Sequence, residues 1–97
     1  MLIAAGNINQ PYQVIGVVHA VAARTPKTGG CSAPSGLPIQ DAYEEATATL
    51  ARAAEKSGGN GLIHVSYDHR ISTSTVGCGN NAQAVIEVYA WGTAVRV

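Results

Sequence analysis

Apolar residues follow two different rhythms along this chain. Residues 12–23 (YQVIGVVHAVAA) are dense in Val and Ile and hold no interior proline, so they predict a strand, with Pro11 tolerated at its start. From Gln40 to Ser57 the spacing becomes helical, with Tyr43, Ala46, Leu50, Ala53 and Ala54 recurring among polar positions. Asp41, Glu44 and Glu45 lie in the first turns and Lys56 in the last, each on the side the helix dipole favours. Gly58-Gly59-Asn60 offers residues that accept a left-handed stop. Residues 62–71 (LIHVSYDHRI) predict a second strand, and residues 82–97, rich in Val, Ile, Tyr and Trp, a third. Residues 25–38 carry three Pro and three Gly and predict a long loop, of the length found in a lid, an interface arm or a disordered segment. Residues 72–81 (STSTVGCGNN) predict a long turn.

The order is β-α-β-β, an α+β domain of two layers. A three-stranded sheet carries one helix on one face, and residues 1–97 form a single domain. A right-handed crossover is expected between the first two strands and a hairpin between the last two. In the last strand the even positions Ala82, Ala84, Ile86, Val88, Ala90, Gly92 and Ala94 are mostly small, which suits close approach of an alanine-rich helix. The odd positions include Val85, Tyr89, Trp91 and Val95, too apolar for a face left to water. The first strand is apolar on both sides, with Val14, Val18 and Ala20 on one and Ile15, Val17 and Val21 on the other. One helix covers one face. The other predicts burial against further copies of the same chain.

Composition narrows the function classes. Apolar residues make up 46% and charged residues 12%, and six Lys+Arg balance six Asp+Glu. A neutral chain with scattered basic residues and no RNP-like aromatics on its strands argues against nucleic acid and against anionic lipid. Residues 1–6 lack the basic region of a secretory signal, and the longest apolar stretch, Val14 to Ala23, is half of what a spanning helix needs. A soluble, cytoplasmic protein is expected. Cys31 and Cys78 do not make a disulfide framework.

The second half resembles the YbjQ-like family of small bacterial proteins. The resemblance rests on the helix, then Gly59-Asn60-Gly61, then LIHVSYDHR, a Gly/Asn turn, and a last strand ending Gly92-Thr93-Ala94-Val95. Tyr12 with Val14-Ile15-Gly16-Val17-Val18 is similar to the family's opening strand, and Gly29-Gly30 ahead of Tyr43-Glu44 to its helix approach. The segment between the first strand and the double glycine is shorter here than in family members. The resemblance implies a dodecin-subunit-like fold, a homo-oligomeric ring (a pentamer) and a heavy-metal-binding label that names no ligands.

Candidate chemistry is sparse. Cys31, Cys78, His19 and His69 are the candidate ligands for a transition metal, and none shows chelating spacing. His64 and His69 are five apart, which strand alternation places on opposite faces. A ring gives Cys31 and Cys78 of several copies a way to gather around an axis. The enzymatic alternative is a Cys78 thiolate with His69 as base, flanking one turn, but no oxyanion hole accompanies them. No GxGxxG or Walker pattern is present. Tyr89 and Trp91 offer a stacking surface for a planar ligand, but anchoring an interface explains them without one and is the preferred reading. The expected reading is a non-enzymatic binding or scaffold protein.

Overall fold

The computed structural model describes residues 1–25, 38–75 and 82–97, with backbone alone at 73–75, 82 and 83. Residues 26–37 of the expected loop and 76–81 of the expected turn, including Cys31 and Cys78, fall outside the described residues.

The elements run β1 (Leu2–Ile3), β2 (Gln13–Arg24), α1 (Ile39–Lys56), β3 (Gly61–Thr75) and β4 (Ala82–Arg96). They form one mixed sheet in the order β1-β3-β4-β2 with the helix on one face. The α+β reading therefore holds, with one helix among the described residues, while the three-stranded count does not. β1 adds a fourth strand, parallel to β3 through Leu2↔Gly61 and Ile3↔Leu62. Two residues leave no alternation for sequence periodicity to detect.

β3 and β4 make the expected hairpin, from Gly61↔Val95 to Thr75↔Ala82. β3 runs through Ser72–Thr75, which composition assigned to the turn; pairing with β4 overrides the local Ser/Thr signal. β2 is antiparallel to β4, so β4 lies between β2 and β3 and the helical connection steps over it.

The core lies where α1 sits on the sheet. Ala42, Ala46, Leu50 and Ala54 from the helix meet Val18, Ala20 and Ala22 of β2, Ile86, Val88, Ala90 and Ala94 of β4, and Leu62 and Val65 of β3. Of the even-numbered residues of β4, Ala90 and Ala94 therefore do lie under the helix, together with the larger Ile86 and Val88. α1 closes as a Schellman stop: Gly59 N–H donates to Ala54 O at 2.9 Å and Gly58 N–H to Glu55 O at 3.0 Å. Gly58 holds φ +96°, a conformation that a side chain would strain.

Two bulges change the faces that alternation predicted. Between Val14 and Gly16 the register with β4 shifts, so Val14 pairs with Val95 while Gly16 pairs with Ala94. Val14 therefore leaves the side of Val18 and Ala20 and is exposed. In β3 the register shifts between Ile63 and Ser66, and His64 takes φ 54°. Leu62 and Val65 consequently share the helix side, and the parity argument that separated His64 from His69 does not apply. Gly92 lies opposite this bulge. A Cβ there would come within 3.1 Å of Val65 Cγ2 and 3.3 Å of the Ile63 carbonyl oxygen.

Candidate functional site

Two surfaces carry the candidate chemistry, one on each side of β3 and β4. On the side away from α1, β2 contributes Val17, His19 and Val21, and β4 contributes Glu87, Tyr89, Trp91 and Thr93, in the pairs His19↔Trp91 and Val21↔Tyr89. Val17 is 66% exposed, Val21 57% and Trp91 38%. β3 adds Ser66, Asp68 and Arg70 beside Trp91, Tyr89 and Glu87. The face is thus divided, with apolar residues along β2 and charged ones along β3. Sequence parity placed Tyr89 and Trp91 here, but left the charged half unassigned.

That half is an ordered cluster. Arg70 Nη2 donates to Glu87 Oε1 at 2.9 Å, and the Tyr89 hydroxyl donates to Glu87 Oε2 at 2.9 Å. The Arg70 bond, followed by the Tyr89 bond, holds the Glu87 carboxyl below its ordinary range. The same bond to Glu87, reinforced by burial, pushes the Tyr89 phenol above its ordinary value. Both carboxylate oxygens are engaged, which makes Glu87 a structural anchor for the two strands.

The second surface lies between α1 and β3. Ile3, Gln40, Tyr43, Glu44, Thr47, Ala48, Ala51 and Tyr67 line an open cleft of about 520 Å³. The Tyr43 and Tyr67 rings are tilted by 56° with centroids 5.5 Å apart. Thr47 Oγ1 and the Tyr67 hydroxyl share a hydrogen bond of 2.6 Å, and the Tyr43 hydroxyl lies 3.1 Å from His69 Nδ1. Sequence reasoning missed this grouping. Tyr43 read as a core position of the helix, and only the register of α1 over β3 brings it to His69.

The candidate ligands are dispersed. His19 lies on the face away from the helix, across from Trp91, while His69 lies on the helix side, across from Val88 and beside Tyr43. Among the described residues no group of three or more His, Cys, Asp and Glu is placed to hold a metal ion. Cys31 and Cys78 lie outside the described residues, so the thiol half of both the metal and the enzymatic expectations lies there too. No helix among the described residues is long and apolar enough to cross a membrane.

The Gly58–Gly61 stop, the hairpin and the Gly92–Val95 ending coincide with a family described as "putative heavy-metal-binding", which matches residues 21–97. The chain belongs to the YbjQ-like family. Across its full length it is also similar to the crystal structure of a protein of unknown function from Pediococcus pentosaceus, of the DUF74 family, which is the same family. The TM-score is 0.71 and the identity 22%, covering 100% of this chain and 97% of that one. At that identity the likeness establishes the fold alone. No curated protein matches the chain.

Proposed function

We propose that this YbjQ-like protein is a non-enzymatic scaffold that assembles with copies of itself and binds a soft metal ion or a small ligand where copies meet. The observation that carries the reading is the sheet face opposite α1. Val14, Val17, Val21 and Trp91 are exposed there on strands whose other side is core. A contiguous apolar patch of this kind marks an interaction surface on a soluble protein. A chain with only 12% charged residues has few charges with which to solvate it. The assembly that the family resemblance implies is a pentameric ring of dodecin-subunit-like protomers, with Trp91 and Tyr89 as anchors.

The metal part of the reading draws on the family description and on the thiols of Cys31 and Cys78. It places the ligands between copies, since His19 and His69 face opposite sides of one sheet. Light scattering on a size-exclusion column tests assembly. A particle several times the 9.9 kDa chain mass is expected at micromolar concentration, and Val17→Asp with Val21→Asp reduces it to the monomer with unchanged circular dichroism. Zn²⁺ and Cu(I) titrations of wild type and of the Cys31→Ser/Cys78→Ser protein test the ligands. Equal uptake by both removes the thiols, and a monomeric wild type removes the scaffold.

A further inference from the structure

We infer that the cleft between α1 and β3 binds a small organic amine, its aromatic body seated against Tyr43 and Tyr67 and its ammonium group beside Glu44. The site lies within one copy, on the helix side of the sheet and away from the face proposed for assembly, and it stands whether or not the chain assembles. The helical period builds one wall. Gln40, Glu44, Thr47, Ala48 and Ala51 fall on a single stripe of α1. Tyr67 of β3 and Ile3 of β1 face that stripe across the cleft. Its volume of about 520 Å³ is that of a small-molecule site.

The lining decides what the body of the guest is made of. Ala48 and Ala51 leave room that larger side chains would fill, and Tyr67 keeps 38% of its surface open to the cleft and solvent. The hydroxyl groups around it are already partnered. Thr47 Oγ1 donates to Tyr43 O at 2.9 Å, so the 2.6 Å bond between Thr47 and Tyr67 is donated by the Tyr67 hydroxyl. The Tyr43 hydroxyl is engaged with His69 Nδ1. A guest therefore meets methyl groups and ring surfaces, with few hydrogen bonds left to make. The Tyr43 and Tyr67 rings, tilted by 56°, form a corner in which a third ring packs edge to face.

Charge decides the head group. Glu44 is the charged residue in this lining. The ion pairs among the described residues are Arg24–Glu45 and Arg70–Glu87, which leave Glu44 without a cationic partner among them. Its bond from Gln40 Nε2 comes from a neutral amide and is long, at 3.3 Å. Asp41 already answers the positive end of the helix dipole, and that field fades within the first turn, so it does not turn the cleft toward anions. An ammonium group at Glu44 gains the carboxylate and also the adjoining tyrosine ring faces, which attract cations. A neutral guest of the same shape forgoes both, and an anion meets repulsion.

Three probes of one shape test this by methyl NMR at neutral pH: phenethylamine, 2-phenylethanol and 3-phenylpropionate. The methyls of Ile3, Thr47, Ala48 and Ala51 report on the cleft, and the Trp91 indole reports on the opposite face. Phenethylamine is expected to shift the cleft methyls with a Kd of about 1 mM, leaving Trp91 in place. The alcohol is expected to bind about three- to tenfold more weakly, and the carboxylate more weakly again. Glu44→Gln lowers the amine to the level of the alcohol and leaves the alcohol unchanged, which a merely structural glutamate would not do. Ala48→Leu fills the cleft and removes binding of both. Still cleft methyls at about 10 mM phenethylamine, equal affinity for the three probes, or shifts confined to Trp91 each overturn the inference. So do cleft methyls that move on dilution of the protein alone, since a second copy then occupies the cleft. Particle size on the same samples judges self-association separately.

Discussion

The carboxamide of Asn60 holds the main chain of Val97 from both sides: Asn60 Nδ2 donates to Val97 O at 3.1 Å, and Val97 N–H donates to Asn60 Oδ1 at 2.8 Å. Asn60 N–H also donates to Val95 O at 2.9 Å, and Arg96 Nη1 donates to Gly58 O at 3.0 Å. The turn that stops α1 is thus stitched to the end of β4. Gly59 fits inside this contact because a Cβ would come within 3.0 Å of Val95 O. Asn60→Ala removes both side-chain bonds, and a loss of about 1–2 kcal/mol is expected from urea denaturation. Asn60→Asp keeps the acceptor and loses the donor, so its midpoint falls between those of wild type and Asn60→Ala.

The β3 bulge is predicted to respond in opposite directions to two substitutions. Gly92→Ala brings a methyl against Val65 and the Ile63 carbonyl, and a destabilisation of about 1–3 kcal/mol is expected. His64→Gly releases a non-glycine residue from φ 54°, and stability is expected to hold or to rise by up to about 1 kcal/mol. Chemical denaturation of the two single variants measures both. A large loss in His64→Gly would mean that the imidazole itself contributes to stability.

These two positions show what was legible in the sequence and what was not. The helix announced itself through its period, and its end through Gly58, because backbone geometry there selects residue type. The helix-facing side of β4 was legible from alternation: its even positions carry Ile86, Val88, Ala90 and Ala94, which pack with Ala42 and Ala46. The bulges were silent. His64 is no conventional bulge residue, and one inserted position reverses the parity of everything before it. Ser72–Thr75 read as a turn because Ser and Thr serve both states, and only cross-strand pairing decides between them. Tyr43 and His69 are 26 positions apart, so no spacing rule joins them.

Glu87 gives the fold a pH dependence with a defined sign. Its folded pKa lies below the ordinary carboxylate value because Arg70 and Tyr89 bond to the ionised form. The stabilisation is therefore complete above the unfolded pKa and is lost as pH falls through the depressed folded one. The difference in melting temperature between wild type and Glu87→Gln is expected to be largest near neutral pH and to shrink progressively below about pH 4. The Tyr89 phenol, raised by its bond to Glu87, acts at the other end, its contribution being lost as pH climbs through its folded pKa. A constant difference across the acid range would show that the Arg70–Glu87 pair is not formed in solution.

The Tyr43–His69 contact ties the tautomer of His69 to the direction of its hydrogen bond. If the Tyr43 hydroxyl is the donor across this 3.1 Å contact, the neutral imidazole carries its proton on Nε2. Nitrogen-detected NMR on uniformly labelled protein at alkaline pH is expected to show His69 with an acceptor-type Nδ1. In Tyr43→Phe that resonance moves toward the unbonded position while the His19 resonances stay in place. The lost bond costs about 0.5–1.5 kcal/mol, less if water replaces the hydroxyl. Thr47→Val removes the 2.6 Å bond to Tyr67 and the 2.9 Å bond that Thr47 Oγ1 donates to Tyr43 O, and the His69 tautomer is expected to stay unchanged. Were His69 to carry its proton on Nδ1 in the wild type, the Tyr43 hydroxyl would be the acceptor, and the direction of this bond would reverse.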